Sequence, residues 1–88
     1  MSINSDGRST EKSVFRFSYV AGPSRELDKE YVVKANSFRK ASEQMTKRMG
    51  KLGLHGLWIL EHTTLGVGNW FIVCNLGVLA TYKIEQIS

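Results

Sequence analysis

Two histidines and one cysteine are the side chains here with the widest chemical repertoire, and their spacing gives them little to do together. His55 and His62 stand seven positions apart, with no Cys, Asp or further His at ligand spacing. A zinc site needs three or four ligands, and Glu61 beside His62 alternates to the opposite face of a strand. No metal and no cofactor are expected. Cys74 sits in an apolar run without an activating base close in sequence, which suits a buried, inert thiol. Leu65-Gly66-Val67-Gly68-Asn69 has the glycines of a phosphate loop but falls between two strands, so no helix N-terminus follows to receive an anion. It reads as a hairpin turn. Glu26, Asp28 and Glu30 share a charged loop where solvation is their ordinary state. No catalytic constellation emerges, and a non-enzymatic protein is the expectation.

The basic residues carry more. Arg39, Lys40, Lys47, Arg48 and Lys51 lie on one segment with Glu43 as its one acid, a surplus of four that equals the net charge of the whole chain, +4. Arg39 and Lys40 fall in a first helical turn, where the macrodipole disfavours positive charge by a few tenths of a kcal/mol each. Lys47, Arg48 and Lys51 suit a helix C-terminus and need no further reason to be there. A solvated basic face is the plain reading; contact with phosphates or an acidic protein surface is the functional one.

The elements that must position these residues can be read from periodicity. Phe38, Ala41, Met45, Met49 and Leu52 recur at spacings of 3, 4, 4 and 3, one apolar stripe on a helix capped by Asn36 or Ser37 and ended by Gly50 or Gly53. Val14 to Val20 alternates as a strand, with Phe15, Phe17 and Tyr19 on one face. Glu30 to Ala35 is a second strand, after a loop broken by Gly22-Pro23 that is expected to be solvated and mobile. Leu57 to His62, Trp70 to Cys74 and Val78 to Ile84 form a three-stranded meander. Asn75-Leu76-Gly77 suits a type I turn closed by a left-handed Gly77. That register pairs Cys74 with Val78, Ile72 with Ala80 and Trp70 with Tyr82, and sets Phe71 beside Thr81 and Val73 beside Leu79.

The order is β-β-α-β-β-β: an α+β domain with one helix packed on a mostly antiparallel sheet, spanning 13–88 behind a flexible N-terminal tail over 1–12. The tail has Ile3 as its one aliphatic residue after Met1, too little to offset the entropy of ordering. One helix covers about two strands of a five-stranded sheet. Part of both faces is then left open, and neither face of the meander reads as polar. Either the sheet curls and buries both faces, or an apolar patch with Trp58, Leu60 and Phe71 stays open for a partner or a second copy, a homodimer.

The run Val33-Lys34-Ala35-Asn36-Ser37-Phe38 leading into Ala41, and the later Asn69-Trp70-Phe71-Ile72, give a layout that resembles small phage-encoded inhibitors, including some anti-CRISPR proteins. The resemblance spans roughly residues 14 to 84. It implies a non-enzymatic protein that occludes a host nucleoprotein complex.

The chain as a whole bounds these readings. Its 88 residues, 42% of them hydrophobic, make one globular domain. No apolar run approaches the roughly 20 residues that span a bilayer, and the polar N-terminus does not read as a signal peptide. A lone cysteine excludes an internal disulfide framework and fits a reducing cytoplasm. The expected function is a binding protein acting on a host protein or nucleoprotein complex. Its contacts would be Arg39, Lys40, Lys47, Arg48 and Lys51 together with the open sheet face. Direct nucleic-acid binding is the alternative.

Overall fold

A computed structural model describes residues 12–62 and 66–88. The tail expected over 1–12 lies outside them apart from Lys12. The strands are β1 (Ser13–Ala21), β2 (Tyr31–Ala35), β3 (His55–His62), β4 (Gly66–Cys74) and β5 (Val78–Gln86), with helix α1 (Phe38–Gly50) between β2 and β3. All neighbours pair antiparallel, in the order β2-β1-β5-β4-β3. The α+β arrangement read from the sequence is the one the chain adopts.

The alternation in β1 sends Phe15 and Phe17 into the core, where they meet Val33 and Ala35 from β2 and Phe71, Val73, Ala80, Tyr82 and Ile84 from β4 and β5. From the helix, Ala41, Met45 and Met49 complete it, and Phe38 sets its ring edge-on to Phe15 at 4.9 Å between centroids. The helix packs on β3, β2 and β4, so it touches both edge strands of the sheet. A flat sheet would not allow that. The sheet curls around the helix, and a single helix thereby closes a larger share of one face than strand spacing alone suggests.

Four sequence expectations are corrected. Between β4 and β5 a bulge after Val73 slips the register by one, so Phe71 pairs with Tyr82, Val73 with Ala80, Ile72 with Thr81 and Trp70 with Lys83. Only Cys74 with Val78 keeps its expected partner. The bulge also changes the turn, in which Leu76, not Gly77, holds the left-handed conformation, with φ 66°. Gly66 to Asn69 belong to β4 and not to a turn; Leu65 lies outside the described residues. The loop before β2 is partly ordered by packing: a 3-10 turn (Arg25–Leu27) drops Leu27 into the core, where its carbonyl accepts a hydrogen bond from the Tyr82 hydroxyl.

On the outer face Arg16 joins Glu85 at 3.1 Å and Glu30 at 3.4 Å, tying β1, β5 and the entry to β2. Trp70, Ile72 and Thr81 are almost fully shielded there, whereas Leu57 stays exposed. The curled sheet is the alternative the chain adopts, with Leu57 left exposed at the edge strand.

Candidate functional site

Helix α1 begins where Ser37, in an extended conformation, accepts a hydrogen bond through Oγ from the Lys40 amide at 3.1 Å. That cap fixes the helical phase. With Ala41, Met45 and Met49 turned to the sheet, Arg39, Lys40, Glu43, Lys47, Arg48 and Lys51 all stand in solvent. Glu43 divides them. Its carboxylate lies 3.8 Å from Arg39 and 3.5 Å from Lys40, so the first-turn charge is locally offset. Among the described residues no carboxylate lies within 4.0 Å of Lys47, Arg48 or Lys51. The five sequence candidates therefore split into a pair that shares one carboxylate and, among the described residues, an unpaired trio at the helix C-terminus.

Arg48 is held there. Its guanidinium sits 5.3 Å from the centroid of Tyr31, whose ring packs edge-on against Tyr82 at 5.7 Å. Tyr82 also meets Tyr19 edge-on. Burial pushes the Tyr82 phenol well above its ordinary value, with Tyr31, Tyr19 and Asp28 adding to the shift. It serves as a neutral hydrogen-bond donor inside the core.

Beside this end of the helix opens a cleft of about 550 Å³. Leu27 from the 3-10 turn, Leu52 and Leu54 from the segment after α1, and Leu79 from β5 make its apolar lining, with Tyr31, Lys29, Glu26 and Ser24 around them. Leu52 was expected to continue the helical stripe into the core. The helix instead stops at Gly50 and the chain turns through a left-handed Gly53, leaving Leu52 62% exposed. The cleft is not legible from spacing because its leucines come from segments up to 52 positions apart (79 − 27). The one local signal is Leu27, a lone apolar residue in a charged loop.

The apolar interface candidates divide as well. Trp58 is 36% exposed, with Nε1 donating to Asn69 Oδ1 at 3.2 Å, and Leu60 is 64% exposed; both lie on edge strand β3. Phe71 is not a surface residue: it is wholly buried, edge-on to Phe17, because its face of β4 is the one that joins the core with the helix residues Ala41, Met45 and Met49. Cys74 is half-buried, not buried, and pairs across the strands with exposed His55, with no hydrogen bond between the two side chains. Among the described residues no group of three or more His, Cys, Asp or Glu gathers, and no helix is long and apolar enough to cross a membrane.

Comparison with protein-family models, curated proteins and solved structures found no match to this chain.

Proposed function

We propose that the protein is a non-enzymatic binding module that seats the C-terminal half of α1 on an anionic surface of a host protein or nucleoprotein complex, in the manner its resemblance to phage-encoded inhibitors implies. The observation that carries this reading is the trio Lys47, Arg48 and Lys51, exposed at the end of α1 with no carboxylate within 4.0 Å among the described residues, while Arg39 and Lys40 share Glu43. Exposed like charges on a fixed element favour an anionic partner through complementary potential.

An acidic protein surface fits better than a nucleic acid because the rings beside the basic trio are already engaged. Arg48 occupies a face of Tyr31, and Tyr19 and Tyr82 pack edge-on within the tyrosine cluster. Unpaired bases are bound largely by stacking on such faces. On edge strand β3, Leu57 and Trp58 expose apolar surface on opposite faces, with Leu60 further along, and offer a second contact at the sheet edge.

The test is affinity capture from native host lysate, with and without nuclease, comparing wild type with the triple variant K47E/R48E/K51E. The wild type is expected to retain a protein partner after nuclease treatment and to lose it as salt rises. The variant loses the Arg48–Tyr31 contact and sets acids at the helix C-terminus, so it is expected to melt a few degrees lower, to stay folded at the capture temperature and to capture none. A variant that captures the same partner undiminished would overturn the reading. Capture abolished by nuclease alone would transfer it to direct nucleic-acid binding.

A further inference from the structure

We propose that the leucine cleft beside α1 is an anchor pocket for a short acidic segment of a partner protein, which inserts one large apolar side chain between Leu27, Leu52, Leu54 and Leu79. This rests on the functional reading above and names the partner chemistry at the same end of the helix.

Shape and lining argue for an occupant. At about 550 Å³ the cleft lies within the range of ligand and anchor pockets. Its four leucines come from three separate parts of the chain, and Leu52 stays largely in solvent although it ends the helix's apolar stripe. An exposed leucine closing the mouth of a leucine-lined recess is surface that a partner's apolar side chain would remove from water. Interface energy concentrates in anchors of this kind.

Charge says what flanks the anchor. Lys29 lines the cleft, Arg48 lies over Tyr31 in its wall, and Lys51 immediately precedes Leu52; Glu26 is the one acid in the lining. Within the lining Lys29 and Glu26 offset one another, and Arg48 on the Tyr31 ring and Lys51 beside Leu52 stand against Asp28 beside Leu27, so the surplus of one base lies on the helix side and complements a segment that carries a carboxylate next to its apolar residue there. Phosphate groups would satisfy the bases but leave the leucines wet, so a polynucleotide matches half of the surface. A neutral apolar ligand matches the other half.

The test is a selection of short random peptides, displayed on yeast, against the intact chain. The expected result is enrichment of sequences with one large aliphatic or aromatic residue flanked by Asp or Glu. In titrations of the methyl-labelled protein, a selected peptide should shift the signals of Leu27, Leu54 and Leu79. Replacing its apolar anchor by alanine, or using the protein variant L52E, should each weaken binding about tenfold or more. Leu52 is exposed enough that this variant folds as the wild type does, and a thermal melt checks it.

Enriched acidic peptides without an apolar residue, binding equally to L52E and leaving the leucine methyls unmoved, would overturn the cleft while sparing the basic helix as a docking face. Peptides that shift the leucines but bind K47E/R48E/K51E as tightly as wild type would overturn the charged flanks and the functional reading together. No enrichment at all overturns the anchor pocket.

Discussion

At the scale of single residues, three positions have consequences that can be measured. Ser42 is buried on the helix, and its hydroxyl has no hydrogen-bond partner among the described residues. An unmet buried hydroxyl costs free energy, and alanine is the better helix former. Ser42→Ala is therefore expected to raise stability, by up to about 1 kcal/mol in denaturant titrations; a loss of stability would mean the hydroxyl is satisfied in solution. Gly56 works in the opposite sense. A Cβ there would fall 2.2 Å from the tip of the buried Phe71 ring, so Gly56→Ala should cost about 1–3 kcal/mol by overpacking. Combining it with Phe71→Leu should recover part of that loss, since the two sites are coupled. Purely additive losses would show that the ring is not the obstacle. Tyr82 links stability to pH. Its folded-state pKa lies above the ordinary value of 10.0, so its contribution is fully present below about pH 10 and is lost as pH rises from there toward the folded value. Tyr82→Phe forfeits the hydrogen bond to Leu27, about 0.5–1.5 kcal/mol at neutral pH, and should flatten the alkaline decline seen in wild type. An unchanged alkaline slope would remove Tyr82 as its source.

At the scale of elements, the sequence was most legible where one local rule dominates. The 3.6-residue recurrence of Phe38, Ala41, Met45 and Met49 with Ser37 ahead of it defines α1 and its buried face, and the alternation in Val14 to Val20 defines β1. Ser37→Ala should cost about 1 kcal/mol, read as a lower melting temperature, because the Lys40 amide loses its acceptor. No change would mean that the first turn is held by packing alone. Legibility failed where a single residue of slippage matters. One bulge after Val73 exchanges the partners of Trp70, Phe71, Ile72 and Val73, so that Tyr82 and Ala80, in place of Thr81 and Leu79, share the face of Phe71 and Val73. Composition does not announce a bulge, since all four residues suit either face. The basic candidates were readable as exposed. Their division by Glu43 was not, because it depends on side-chain reach across one helical turn.

At the scale of the whole molecule, strand order decides what holds the fold together, and periodicity does not encode it. The first and last strands pair at the centre, Phe15 opposite Gln86, while β2 and β3 form the edges. Both edges rest on α1, so the helix is the element that keeps the sheet curled. Met45 and Met49 are its largest wholly buried side chains, and truncating a buried methionine costs roughly 2–5 kcal/mol. Small domains have only about 5–15 kcal/mol in total. Met45→Ala is thus expected to leave a folded but weakened protein in which both edges loosen together. Amide exchange should accelerate in β2 and β3 in parallel, while β1 and β5, each paired on both sides, remain the slowest to exchange. Loosening of β2 with β3 unchanged would mean that the helix secures one edge only and that the curl belongs to the sheet itself. The same variant separates stability from binding. If α1 is still seated, its exposed bases keep their arrangement and partner capture should persist below the lowered melting temperature. Capture lost at a temperature where the helix remains folded would place the recognised surface across the curl, on helix and sheet edge together.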